Sequence, residues 1–203
     1  WPPSSQVRVY SQPEVSGAQQ PGAPGAGNDP DVDATGQVTV KLGFTEDAQL
    51  DRQGRYTGVG SPTSVTYTLE QVDGQWRIAD PQDGVLVSSK FFTDYFRSFD
   101  LYFFDRPGRR LVPEPVYLVA GDQLATSLIT SLAGGPAPSA REATRTFVPS
   151  RPSLRPSVPV TDGLADVEFA DDFSELPRSS ADHLSAQVVW TLRQVPGIET
   201  VQV

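Results

Sequence analysis

Along this chain the spacing of apolar residues changes from every second residue to every third or fourth, and that change limits the folds open to it. The stretch QVTVKLGFTEDAQL places Val38, Val40, Leu42 and Phe44 at alternate positions, the period of a strand with one face turned to a core. QVRVY, from Gln6 to Tyr10, alternates in the same way. SVTYTLEQVDGQWRIADP sets Val65, Tyr67 and Leu69 on one side, turns at Asp73-Gly74 and returns through Trp76 and Ile78. Asp-Gly suits a two-residue hairpin turn because both positions need a positive φ. The first part therefore reads as a strongly curved antiparallel sheet with almost no helix. Between its first two strands, residues 11–36 are dominated by Gly, Pro and Ala, a composition that repays little of the entropy of ordering and predicts a mobile loop.

Past a short ambiguous segment, DGVLVSSKFFTDYFRSF, the pattern changes. Val85 and Val87 look extended there, and Ser88 or Ser89 is placed to cap one helical turn carrying Phe92 and Phe96. A domain boundary is expected near Arg97, dividing the chain into 1–97 and 98–203. Beyond it, LYFF and LVPEPVYL read as strands joined by the turn DRPGRR. Pro113 and Pro115 lack the N–H that a ladder needs, which suits an edge strand. GDQLATSLITSLAGGP carries Leu124, Leu128 and Leu132 at spacing four with Ala125 and Ile129 beside them, and Gly134-Gly135-Pro136 stops it. This is a helix for which Asp122 is the expected cap. LRPSVPV and LADVEFADDF read as two more strands. SSADHLSAQVVWTLRQV is a second amphipathic helix, with Leu184, Val188, Leu192 and Val195 as its stripe and Ser180 or its neighbour as cap. IETVQV closes the chain as a strand. The order β-β-α-β-β-α-β predicts an α+β sandwich with both helices on one face of a sheet.

Charge and composition exclude some functions. The formal net charge is -9, with 12 acidic and 7 basic residues through Arg97 and 13 and 9 beyond it. Neither part is a basic arm, which argues against nucleic acid as a partner. With no cysteine, disulfides, thiolate catalysis and Cys-ligated metals are ruled out. No apolar run approaches the ~20 residues of a membrane span.

Reactive side chains are few. His183 is the only histidine, flanked by Asp182 and Ser185. Adjacent positions on a helix do not face one another, so a Ser-His-Asp relay is not expected and His183 reads as a surface residue of a first helical turn. Glu168, Asp171 and Asp172 form an acidic patch that could serve acid-base chemistry or calcium, or simply be solvated loop acids. No cofactor and no metal site are expected. Arg106, Arg109 and Arg110 make the one basic cluster. They are either the solvated tip of a hairpin or a surface for a partner's acids or an anionic wall polymer. Trp76 and Trp190 sit in patterned elements and are expected in the core.

The second part, from LYFF to VQV, resembles the GerMN domain family through LYFFDRPGRRLVPEPVYL, LATSLITSLAGGP, LADVEFADDF and AQVVWTLRQVPGIETVQV. Glu168 stands where that family's third segment usually has Asp. The order of parts, with DGQWRIADPQDGVLVSSKFFTDYFRSFDLYFFD leading straight into it, resembles the actinobacterial LpqB lipoprotein family. That resemblance implies a partial NTF2-like domain, mostly antiparallel sheet, followed by a GerMN domain. It also implies a piece of a larger protein, without the lipobox and β-propeller of the family.

By the same resemblance the chain is expected to be no enzyme. It would be an extracytoplasmic interaction module, tied to the cell membrane by a lipid anchor in the full-length protein. It would be accessory to the MtrA–MtrB two-component system through the extracellular domain of the sensor histidine kinase. Binding of cell-wall peptidoglycan is the alternative. If the NTF2-like helices are missing, the face carried by Val38, Val40, Leu42 and Phe44 needs other cover.

Overall fold

The computed structural model describes residues 6–16, 36–148, 157–167, 169 and 177–203. The chain divides into two compact units. The first comprises Trp1–Asp51 and Thr57–Phe92, and the second comprises Arg52–Tyr56 and Thr93–Val203.

The first unit is a five-stranded sheet built from β1 (Val7–Ser16), β2 (Gln37–Leu50), β3 (Tyr56–Val72), β4 (Gln75–Ile78) and β5 (Val85–Ser88), in the order β4-β3-β2-β1-β5. The expected loop at 11–36 is corrected at its start, because residues 11–16 belong to β1. Pairing with β2 runs on to Ser16↔Lys41 across two irregularities, Val9/Tyr10 and Ser11/Glu14. Gln12, at φ 50, lies in the second of them, so the strand absorbs Pro13 in a bulge instead of ending. The remainder of that loop, 17–35, lies outside the described residues. The Asp73-Gly74 hairpin forms as expected, with φ 53 and 76 and the register Val72↔Gln75. β5 joins β1 in parallel, whereas β1 with β2 and β3 with β4 pair antiparallel, a difference that local sequence could not announce.

Burial in β2 follows the alternation. Val38, Phe44, Ala48 and Leu50 are buried with Val7, Val9, Val65 and Val87, while Val40 and Leu42 are half-buried. Glu46 falls on the same buried phase and is held there by a bidentate ion pair. Arg8 Nε and Nη2 donate to its two oxygens at 2.8 and 2.7 Å, and Gln49 Nε2 donates at 2.8 Å. Trp76 is not core. All of β4 is exposed, and Trp76 keeps 40% of its surface in solvent because β4 is the outermost strand.

After β5 comes α1 (Ser89–Tyr95), whose Phe91 N–H is capped by Ser88 Oγ at 3.1 Å. The second unit then places β6 (Phe96–Asp105) between β7 (Leu111–Val119) and the two-residue β8 (Thr144–Arg145). β7 is an edge, as its prolines imply. Tyr117 donates its N–H outward to Gly54 O at 2.7 Å, so by strand parity the N–H groups of 113 and 115 would also point outward. Proline removes both donors, and the edge is blunted against strand addition.

Leu101, Phe103 and Val116 pack with Leu124, Leu128, Ile129 and Leu132 of α2 (Leu124–Ala133) and Leu184, Val188 and Leu192 of α3 (Arg178–Leu192) in one core. A second small sheet, β11-β10-β9, holds β9 (Val160–Thr161), β10 (Leu164–Asp166) and β11 (Thr200–Gln202). Among the described residues the single sheet expected under both helices falls into two three-stranded ones, and residues 154–156, 168 and 170–173 of the two strands expected around β9 and β10 lie outside the described residues.

Both expected caps are corrected. Asp122 does not cap α2; the preceding residue is Gln123 and no side chain caps the helix. α3 begins at Arg178 after an extended Pro177, whose carbonyl accepts from Ser180 and Ala181, so Ser180 lies inside the first turn. Trp190 is 40% exposed. In its place α3 buries Gln187 and Thr191 toward β6.

Candidate interaction surface

The β6–β7 turn is held by one carboxylate. Asp105 Oδ1 accepts the N–H groups of Arg109 and Arg110 at 2.6 and 3.1 Å, and Gly108 N–H reaches Asp105 O at 2.8 Å. The backbone hydrogen bond from Arg109, followed by that from Arg110, holds the Asp105 carboxyl below its ordinary range. Locked in this way, the turn presents the Arg106, Arg109 and Arg110 side chains to solvent. Arg106 Nη1 donates to Glu142 O at 3.1 Å, and its N–H to Ala143 O at 2.8 Å.

Sequence reading missed a fourth guanidinium. β8 pairs with the end of β6, Phe104↔Arg145 and Asp105↔Thr144, and so delivers Arg145 to the turn. Gly108, at φ 75, leaves room for it: a Cβ there would stand 2.3 Å from Arg145 Nη2. The Arg145 guanidinium lies over Phe147, 4.5 Å from the ring centroid. On the same ring stacks His183, at 4.4 Å and 17°. Only the Arg-rich composition of residues 106–110 was a local signal; Arg145 had none.

His183 is half-buried in the second turn of α3, not on the open surface of the first. Its Nε2 contacts Gly108 O at 2.9 Å and its Nδ1 the Ser179 carbonyl, so neither nitrogen meets Asp182 or Ser185. The histidine ties α3 to the turn. Glu168, Asp171 and Asp172 lie outside the described residues.

Among the described residues, Arg106, Arg109, Arg110 and Arg145 form no ion pair with a carboxylate, in contrast to Arg8 with Glu46 and Arg55 with Glu114. A separate, concave feature of the same unit is a groove of about 830 Å³ beside the start of α2. Phe99, Leu124 and Val158 line it with Arg97, Gln194 and Pro196. Arg97 Nη1 there donates to Thr93 O and Phe96 O at 2.9 and 2.7 Å.

These features define a two-part α+β chain whose second unit carries an ordered, basic hairpin tip. Comparison with known proteins places it. Residues 1–93 match the family model "Lipoprotein LpqB, N-terminal domain", and residues 100–203 match "Sporulation and spore germination". The chain belongs to the sporulation and spore germination family through its second part and carries the LpqB N-terminal domain in front of it. Lipoprotein LpqB of Thermobifida fusca is 28% identical over 98% of this chain and 31% of its own length. Lipoprotein LpqB of Corynebacterium jeikeium is 37% identical over 63% of this chain and 22% of its own. The chain thus spans less than a third of these curated relatives. Among solved structures, the tandem GerMN domains of the Bacillus subtilis sporulation protein GerM align at a TM-score of 0.40 and 20% identity, over 53% of this chain and 38% of that one. Neither matched family name denotes an enzyme. No helix among the described residues is long and apolar enough to cross a membrane.

Proposed function

We propose that this chain is a non-catalytic interaction module of an LpqB-type lipoprotein, working outside the cytoplasm while a lipid anchor of the full-length protein holds it to the membrane. Its two domains, divided near Arg97, would share the work of presenting a surface to the extracellular domain of the MtrB sensor kinase. The observation that carries the reading is the turn itself. Arg106, Arg109 and Arg110 are exposed on a backbone already ordered by Asp105, so binding through them would cost little further ordering of the turn.

The test is capture of the purified sensor ectodomain by the full chain, set beside sedimentation with purified peptidoglycan. Saturable binding to the ectodomain and none to the wall supports the reading. Sedimentation with the wall that is lost in R109A/R110A, with no capture of the ectodomain, would replace it with a wall-binding function.

A further inference from the structure

We infer that the end of the β7-β6-β8 sheet docks a short acidic peptide segment of a partner protein, with Arg109 and Arg110 at its front and Arg145 as a third, structurally recruited guanidinium. The inference rests on the interaction-module reading and adds the chemistry of the partner.

The arginines are gathered, not scattered. Arg109 and Arg110 leave the turn between β6 and β7, while Arg145 arrives on the other side of β6 through Phe104↔Arg145. Arg145 is flattened against Phe147 and passes where a side chain on Gly108 would stand. A planar guanidinium held in one orientation suits bidentate recognition of carboxylate. Asp105 offsets part of the Arg109 charge across the turn, but among the described residues it makes no salt bridge with Arg109, Arg110 or Arg145. Glu142 and Asp182 are exposed nearby in the fold but make no ion pair with these arginines.

Other modes of contact are less open. Pro113 and Pro115 take away the outward donors of β7, so a partner reaches this hairpin through side chains and not by adding a strand. The length of the partner's acidic stretch follows from charge. The whole chain carries -9, and fields at a surface fade over about 10 Å in 0.1 M salt. A short acidic segment feels the local arginines, whereas a long polyanion also meets the acidic remainder.

The test uses the full chain and a short Glu-rich peptide followed by titration calorimetry at low and at physiological salt. The parent is expected to bind, more weakly as salt rises, and R109E/R110E and R145E to lose about tenfold or more in affinity. R77E, on β4 of the first sheet, should leave affinity unchanged. R145Q, which removes the charge but keeps a planar group over Phe147, should show the R145E loss with the parent's melting temperature. No binding by the parent, or equal binding by all variants, overturns the inference. So does tighter binding of polyphosphate than of the peptide through the same arginines, which would assign the surface to a polyanion. Ectodomain capture that survives R109E/R110E/R145E leaves the interaction-module reading standing and removes this surface from it. Peptide binding without ectodomain capture does the reverse.

Discussion

Gln187 Nε2 donates to Tyr102 O at 2.9 Å from the middle of α3. This bond is one rung of a ladder. Gln187 Oε1 accepts from Phe147 N–H at 2.6 Å, and Thr191 Oγ1 from Tyr102 N–H at 3.3 Å. Gln194 meets both Asp100 N–H and Asp100 O, at 2.8 and 2.7 Å. The even-numbered residues of β6 face away from β7, and β8 pairs only with its last two residues. Side chains of α3, with Gln194 just past its end, therefore take the place of a missing strand along Tyr102 and Asp100, satisfying backbone groups that burial would otherwise penalise.

Removing the fully buried Gln187 should be costly for that reason. Q187A leaves Tyr102 O and Phe147 N–H short of partners in the core, at about 1–3 kcal/mol for an unsatisfied buried group. Urea unfolding should show that loss or more, and a change under ~0.5 kcal/mol would mean that water replaces the amide.

Arg55 joins three pieces of the second unit. Its Nε donates to Glu114 Oε1 at 2.5 Å, Nη2 to Gly135 O at 2.5 Å and Nη1 to Gln53 Oε1 at 3.2 Å. Glu114 Oε2 also accepts from Ala137 N–H at 3.0 Å. With both side chains about 15% exposed, R55A strands a poorly hydrated carboxylate and should destabilise by about 3 kcal/mol. E114Q with R55A should recover part of that loss in a double-mutant cycle. Additive losses would argue against coupling.

Acid should weaken the fold through Glu46. Its hydrogen bonds to Arg8 hold its carboxyl below the ordinary value despite burial. A depressed carboxylate contributes stability that is present in full above its unfolded value of about 4.3 and is lost as pH falls through the lower folded value. Asp105 acts in the same direction from about 3.9 downward. Unfolding free energy should be flat above about pH 5 and decline below it, and E46Q should make the decline shallower. An equal slope in E46Q would show that other carboxylates carry it.

Gly108 should resist replacement. Alanine at φ 75 is strained, and its Cβ would displace the Arg145 guanidinium. G108A is expected to lower stability by about 1–2 kcal/mol and to shift the Phe147 and His183 ring signals in NMR spectra. Unchanged ring signals would mean that Arg145 is not held against the turn.

Legibility in sequence followed the range of the interaction. The Asp73-Gly74 turn, the Ser88 cap and the edge position of Pro113 and Pro115 were readable because each is settled within a few residues. Asp162-Gly163 carries the same hairpin signal, with φ 50 and 79, and turns β9 into β10. Caps were less secure. Asp122 and Ser180 have suitable side chains, but Gly121 O and Pro177 O take the N–H groups of the first turns instead. Trp76 shows the limit of periodicity: alternation marks which face a residue occupies, and the order of strands decides whether that face is covered.

By itself, the sequence determined the kinds of element and nearly all of the buried apolar stripes, because the periods of two and 3.6 are properties of the backbone that side chains only have to match. The tertiary structure alone decided that β5 runs parallel to β1, that Gln187 and Thr191 point inward and that Arg145 joins Arg109 and Arg110. Each of these is a pairing between distant segments, and its energy depends on which backbone groups and charges are left without partners once the core has closed.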